Sequence, residues 1–411
     1  MLEGGFYDRV KAEVFGSVCD RLIRIPNAGD DQVVKIIKDC IIALAGPEDF
    51  TSRQRSRMCH EIFNRIRRLD VLQDLLEDGS ITEIMVNGTD EIFVERQGRL
   101  QGTGIRFESK ERLVDIIGKI AADVNRTINL SSPILDARLP DGSRINAVLD
   151  PVAINGPILT IRRFPQRPID ADTLVALGSV SSYVMDFLKK LVIAGYNILI
   201  SGSTGSGKTT FLNVLSGFIP KDERIITIED SAELRIMGIK NLVRLETRNA
   251  TAGGCAGITI RDLIKTSLRM RPDRIVVGEV RGEEAIDMLS AFNVGQDGSL
   301  STIHANSAID AISRLETMIM LSTSIPMEAL RRQIASGVDI IIHLGRLRDK
   351  SRHVLEVVEV TGMSGSAIET RKLFGFMEKG MSNGRIEGCL EKKEDLLNRD
   401  KLIKRGIGDE M

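Results

Sequence analysis

Tyr196-Asn197-Ile198-Leu199-Ile200-Ser201-Gly202-Ser203-Thr204-Gly205-Ser206-Gly207-Lys208-Thr209-Thr210 runs from a short apolar strand into a loop of Gly, Ser and Thr, and then into a stretch, Thr209 to Gly217, that can be helical. Residues 202–209 fit G-x-x-x-x-G-K-[ST], a loop that wraps phosphate oxygens. Gly202, Gly205 and Gly207 permit backbone angles that a Cβ forbids. The freed N–H groups of Ser203, Thr204, Gly205, Ser206, Gly207 and Lys208 can then meet phosphate at a helix N-terminus, where the dipole favours negative charge. Lys208 is placed to reach the β- and γ-phosphates. The hydroxyl of Thr209, with Thr210 beside it, is placed to meet Mg²⁺. A Gly/Ser-rich loop can match this pattern by chance, but the strand before it and the helix after it are the context the motif requires. The expected ligand is a nucleoside triphosphate, ATP by default, with Mg²⁺.

The 411 residues suggest two or three domains. A hydrophobic share of 42% and a charged share of 27% are those of a globular protein. The formal net charge of −1, the 4% aromatic content and the absence of Trp argue against a nucleic-acid partner. No run of about 18 apolar residues is present, so no membrane-spanning helix is expected. The acidic beginning, with Glu3, Asp8 and Glu13, does not read as a secretory signal. Cys19, Cys40, Cys59, Cys255 and Cys389 form no C-x-x-C pair. The expectation is reduced thiols in the cytosol, with neither a zinc site nor a disulfide framework.

Residues 1–70 read as an N-terminal helical region. One apolar stretch from Val33 to Leu44 stops at Gly46-Pro47, and a second carries Met58, Ile62, Ile66 and Leu69 at helical spacing. The basic residues Arg53, Arg55, Arg57, Arg65, Arg67 and Arg68 read as a solvated face, with a partner or lipid surface as the alternative. Residues 71–165 read as a small α+β domain. Strands are expected over 81–88, 91–95, 143–149 and 157–164, with a helix over 110–124 and a turn at Pro140-Asp141-Gly142. Residues 166–182 read as a linker. From 183 to 365 strands and helices alternate, the mark of a mostly parallel sheet. Residues 366–411 read as a polar C-terminal tail, with a surface helix or disorder expected after about 380.

Three apolar stretches in that last domain end on polar groups: Ile225–Ile228 on Glu229-Asp230, Arg274–Gly278 on Glu279, and Ser299–Ile303 on His304. Parallel strands deliver their C-terminal residues to the ligand crevice. Glu279 is therefore the candidate to orient or deprotonate the attacking water; a structural ion pair with Arg281 or Lys208 is the alternative. Glu229, or Glu279 through water, could also help hold Mg²⁺. His304 could sense the γ-phosphate. Arg144 and Arg162, on strands of the small domain, are candidates to stabilise the transition state, with Arg138, Arg235 and Arg248 as weaker ones and Arg163 expected on the opposite face.

Taken together, the phosphate loop, Ile228-Glu229-Asp230, Val277-Gly278-Glu279 and Gly298-Ser299-Leu300-Ser301-Thr302-Ile303-His304-Ala305-Asn306 resemble, in order and wording, the secretion ATPase superfamily of type II secretion, type IV pili and type IV secretion. Val243–Arg248, Arg269–Arg274 and Ser313–Met318 are similar to its tight-adherence (Tad) pilus branch. The resemblance covers about residues 70–365. It implies a PAS-like small domain joined to a RecA-like ATPase domain, a hexamer, Arg144 and Arg162 as the small-domain arginines, and a polytopic inner-membrane platform as partner. It also implies a cytoplasmic location at the inner face of the membrane. Gln296 departs from that branch, which usually carries His there, and the four-cysteine zinc module of some relatives is missing. A RecA-like nucleic-acid translocase and a nucleotide-gated scaffold without turnover are the rival readings.

Overall fold

A computed structural model describes all residues except 1, 26, 47–48, 97, 140, 164–168, 249–255, 383 and 409–411. Pro47, Pro140, Phe164, Pro165, Pro168 and Cys255 thus lie outside the described residues. The chain divides into two compact units, Met1–Gln166 and Arg167–Met411.

The first unit opens with helices α1 (Leu2–Ile23), α2 (Asp30–Leu44) and α3 (Ser52–Arg67), followed by a 3₁₀ turn and the short α4 (Gln73–Glu77). Val14, Val18, Val33, Ile37, Met58 and Ile62 form their shared core. Thr51 caps α3 by accepting from the Gln54 N–H, while Gln54 reaches back to the Thr51 N–H. Strands β1 (Ile81–Asn87), β2 (Glu91–Arg96) and β3 (Arg99–Gly102) precede α5 (Lys110–Asp123). Strands β4 (Ile134–Arg138), β5 (Arg144–Val148) and β6 (Ile158–Arg162) follow it. They make one antiparallel sheet, ordered β3-β2-β1-β6-β5-β4. One face packs Ile84, Val86, Ile145 and Ile161 on Leu113, Ile116, Ile117 and Ile120 of α5. The arginines of α3 are not simply a solvated face. Arg65 pairs with Glu108 at 2.6 Å, Arg68 with Glu77 at 2.5 Å and Arg57 with Glu61 at 2.7 Å. Arg112 of α5 bonds Asp70 at 2.6 Å and the Arg65 carbonyl at 2.5 Å, tying α3 and the 3₁₀ turn to α5.

The second unit begins with α6 (Ala171–Ala176), α7 (Ser182–Ala194), β7 (Ile198–Gly202) and α8 (Lys208–Ser216). It continues through β8 (Ile225–Glu229), β9 (Leu242–Glu246), α9 (Ile260–Ser267), β10 (Arg274–Val280), α10 (Ala285–Asn293) and β11 (Leu300–His304). It ends with α11 (Ala308–Ser322), α12 (Met327–Gly337), β12 (Ile340–Arg346), β13 (Arg352–Ser364), β14 (Ala367–Ser382), β15 (Arg385–Lys392) and α13 (Asp400–Lys404). The sheet order is β15-β14-β13-β12-β7-β11-β10-β8-β9. Strands β12 through β9 in that order are parallel, and β13 to β15 extend the sheet antiparallel. Both faces are covered. Ile198, Ile200, Val276 and Leu300 pack toward α7 and α8, whereas Leu199, Ile275, Val277 and Ile303 pack toward α10 and α11.

Two expectations are corrected here. The stretch read as a linker holds α6, capped by Asp170 accepting from the Thr173 N–H at 2.8 Å, with Leu174 and Val180 buried. The segment read as a polar tail carries two strands and a short helix, β14, β15 and α13, among its described residues. Polar side chains are common on β14 and on the edge strand β15, where charge blunts unwanted pairing, yet Leu373 and Phe374 of β14 are buried. Glu359 on β13, 1% exposed, accepts from the N–H groups of Leu397 and Asn398 and straps the segment down.

Arg274 is fully buried at the start of β10 and pairs with Glu223, which also accepts from Arg405 at 2.9 Å. Removing one partner strands a buried charge, which costs ~3–5 kcal/mol. Glu223→Ala should therefore lower unfolding free energy by about that amount in denaturant titration; a loss below about 1 kcal/mol would show that the pair is not a structural keystone.

Candidate nucleotide site

Every residue of β7 is buried, and parallel neighbours β11 and β12 hold both its edges. The loop that leaves it has the backbone the motif calls for: Gly202, Gly205 and Gly207 stand at φ +156°, +74° and +97°. A Cβ on Gly202 would lie 2.5 Å from both the Leu344 carbonyl and Ser206 Oγ, so no other residue fits there. Gly207 then opens α8, and the loop N–H groups stand at its N-terminus.

The strand ends bring the predicted polar residues together. Lys208, 7% exposed, donates to the Ser203 carbonyl and to His304 Nδ1, both at 3.2 Å. His304 Nε2 stands 2.7 Å from Glu279 Oε1. Glu279 Oε2 accepts from Arg281 Nε at 2.9 Å, and Arg281 reaches Asp230 at 3.5 Å. The ammonium of Lys208 can only donate, so Nδ1 of His304 accepts and the ring proton sits on Nε2; Glu279 Oε1 lies close to it but is buried without a hydrogen-bond partner among the described residues. Burial, then the Lys208 charge, push His304 below its usual range, which keeps this imidazole neutral. Burial also lowers Lys208, with Glu279 opposing it. The ion pair between Glu279 and Arg281, an alternative raised by the sequence, is present, and it leaves the carboxylate in the same cluster as Lys208.

Glu229 ends β8 next to this cluster and is 2% exposed. Its Oε2 accepts from the N–H groups of Glu233 and Leu234 at 2.6 and 2.8 Å, while Oε1 is buried without a hydrogen-bond partner among the described residues. Burial pushes its carboxyl up to about 7, against those two N–H groups. The Thr209 hydroxyl makes no hydrogen bond among the described residues. A free hydroxyl and a spare carboxylate oxygen are hard oxygen donors of the kind Mg²⁺ takes, directly or through water, so the residues fit that ion. An open cleft of about 470 Å³ adjoins the cluster, lined by Asp230, Thr247, Arg248, Arg261, Arg281 and Glu284 among others.

In the first unit, Arg138, Arg144 and Arg162 are register partners across β4, β5 and β6, and Glu83 continues the row on β1. They alternate with core residues, so they stand on the face away from α5. Arg144 approaches Asp136 at 3.9 Å and Arg162 approaches Glu83 at 3.6 Å. Like charges directly opposite each other destabilise a sheet. Arg163 takes the other direction, donating to the Asp78 and Ile81 carbonyls.

A family model described as "Type II/IV secretion system protein" matches residues 67–397. The chain belongs to that family, a family of ATPases. A putative conjugal transfer protein of Mycobacterium tuberculosis is 33% identical over 301 residues, 72% of this chain and 85% of that one. The type IV secretion system protein PtlH of Bordetella pertussis is 35% identical over 305 residues, 68% of this chain and 89% of that one. The solved ATPase DotB of Legionella pneumophila shares the fold at 22% identity and a TM-score of 0.50, covering 70% of this chain and 79% of that one. Within this family member, two contacts at the site carry no motif and escaped sequence reading. Ser201 bonds His343 Nδ1 of β12 at 2.9 Å, and Arg352 of β13 bonds the Gly205 carbonyl at 2.8 Å. Both partners come from strands whose pairing with the loop region only the topology reveals.

The raised Glu229 carboxyl has a measurable consequence. The folded chain keeps a proton that the unfolded chain, with an ordinary value of 4.5, has already lost. Stability from this group is therefore complete below about pH 4.5 and is lost as pH rises through about 7. Glu229→Gln keeps the acceptor and stays neutral. Its unfolding free energy should match the parent near pH 4.5 and exceed it by on the order of 3 kcal/mol at pH 8.5. A difference that does not change with pH would remove the assignment.

Proposed function

We propose that this family member is a hexameric ATPase motor at the cytoplasmic face of a membrane. In this reading the second unit is a RecA-like ATPase domain and the first unit carries a PAS-like domain. ATP hydrolysis moves one against the other and drives type IV pilus assembly, of the tight-adherence kind, or protein secretion through a polytopic membrane platform. The branch wording at Val243–Arg248 and Ser313–Met318 supports the pilus reading, and the relatives named for conjugal transfer and type IV secretion support a secretion machine more broadly. Among the described residues no helix is long and apolar enough to cross a membrane, so the force needs a membrane partner to act on.

The observation that carries the proposal is the chain of contacts Lys208–His304–Glu279–Arg281 at the mouth of the phosphate loop. Lys208 holds only a carbonyl and an imidazole, weaker partners than a phosphate oxygen, to which it would transfer when ATP binds. His304 stands between the two, bonded to Lys208 and close to Glu279. Glu279, aimed by Arg281 on one oxygen, takes or orients the proton of the attacking water with the other. Bound Mg²⁺ would neutralise charge on the β- and γ-phosphates, held by Thr209 with Glu229 nearby. Arg144 and Arg162 are the candidates to stabilise the transition state of phosphoryl transfer.

Glu279→Gln should bind ATP as the parent does and turn it over ~100-fold more slowly or worse, trapping the triphosphate. Full turnover in that variant would strip Glu279 of its role. Arg144→Ala and Arg162→Ala should each bind ATP yet lose at least ~100-fold in kcat; near-normal rates in both would remove the arginine assignment. ATPase activity stimulated by DNA, with a steep salt dependence, would favour the translocase reading instead.

A further inference from the structure

The phosphate loop is held from outside by a residue distant in sequence. Arg352, the first residue of β13, donates from Nε to the Gly205 carbonyl at 2.8 Å across 147 residues of chain. A Cβ on Gly207 would lie 3.6 Å from Arg352 Cδ, so the arginine stem also runs along the loop. A loop with glycines at φ +74° and +97° has wide conformational freedom, and contacts must impose its curvature. In a trans peptide the carbonyl and the following N–H point in opposite directions. Fixing the Gly205 carbonyl on Arg352 therefore turns the Ser206 N–H away from Arg352, back into the loop. There it makes only a 3.3 Å bond to the Ser203 carbonyl, beyond the usual amide range. This N–H is a loosely held donor, oriented before any ligand arrives.

The arginine is itself held in place. Arg352 stands in register with Arg346 across the β12–β13 turn, and Leu344 two residues earlier is in register with Gly202. The turn closes through the Leu347 N–H on the Ser351 carbonyl at 2.9 Å. Asp349 accepts from the Ser351 N–H at 2.9 Å and from the Ile386 N–H of β15 at 2.8 Å. Hairpin and loop are thus built against each other at one point, and the η nitrogens of Arg352 have no hydrogen-bond partner among the described residues.

We infer that Arg352 is a positioning residue for the ATPase reaction: through the Gly205 carbonyl it holds the phosphate loop in its anion-binding curvature and so sets affinity for the triphosphate. The inference rests on the phosphate loop being the nucleotide site. It predicts an effect on binding rather than on the chemical step, because Arg352 touches neither Glu279 nor His304.

The test compares full-length parent, Arg352→Ala, Arg352→Lys and Lys208→Ala, reading KM and kcat for ATP, binding of a fluorescent ADP analogue, and the melting midpoint. Loss of one charge-assisted hydrogen bond should raise KM and weaken analogue binding ~10-fold in Arg352→Ala. Its kcat should stay within about threefold and its melting midpoint should not move, since Arg352 is exposed. Arg352→Lys, which keeps a cationic donor, should recover part of the affinity. Unchanged KM and analogue binding in Arg352→Ala, with binding lost in Lys208→Ala, would overturn the role of Arg352 alone. Parent-like binding in Lys208→Ala would overturn the nucleotide site and this inference with it. A fall in kcat at constant KM, or a lowered melting midpoint that accounts for the affinity loss, would also overturn it.

Discussion

One side-chain amide fixes the base of the strand on which the site is built. Asn197 donates from Nδ2 to the carbonyls of Phe292 and Gly337 and accepts at Oδ1 from the N–H groups of Gly298 and Ser299. Its own N–H meets Asp339 at 2.7 Å. All these partners lie just before β11 or β12 or at the ends of the helices leading to them, so a single buried residue sets the start of three neighbouring parallel strands. Buried polar groups satisfied this fully specify one arrangement, because any slip leaves donors or acceptors stranded at a cost of ~1–3 kcal/mol each. With the bases aligned, the far ends arrive together: Gly202 on β7 stands in register with His304 on β11 and Leu344 on β12.

That alignment converts sequence spacing into chemistry. Lys208 and His304 are 96 residues apart in the chain, and the sheet brings them within hydrogen-bond reach. Burial lowers the proton affinity of both His304 and Lys208 and raises that of Glu229, in each case because a charge loses water. The cluster is therefore built of groups whose charge states respond to a new charge nearby, which is what the arrival of a triphosphate supplies. The Arg352 contact adds a hold on the loop from the β12–β13 turn, and that turn is tied to β15 through Asp349.

Much of this was legible in the residues. The glycine spacing of 202–209 and the acids and histidine at the ends of apolar runs have local causes: positive φ needs glycine, and central strands need β-branched apolar residues. The small-domain arginines were legible as strand residues, but their alignment with Arg138 depends on register, which β4 and β5 acquire only on pairing. The C-terminal strands were missed because their polar edge composition hides the alternation, although Asn383-Gly384 is a hairpin signal flanked by strand-length segments. The arginines of α3 misled in the opposite sense. A run of like charge suggests a free surface, whereas Glu61 of the same helix and Glu77 and Glu108 from other elements pair with it. Asn197, Ser201, His343 and Arg352 carry no motif at all, since their partners are chosen by strand order.

The measurement that bears most directly on this account is a structure of the full chain with Mg²⁺ and a non-hydrolysable ATP analogue. The account requires the β- and γ-phosphates inside the 202–209 loop, with Lys208 Nζ moved from the Ser203 carbonyl and His304 onto a phosphate oxygen and the Glu279 carboxylate facing the γ-phosphate. Triphosphate bound elsewhere, or Lys208 still on Ser203 and His304 with Glu279 turned away, would contradict it.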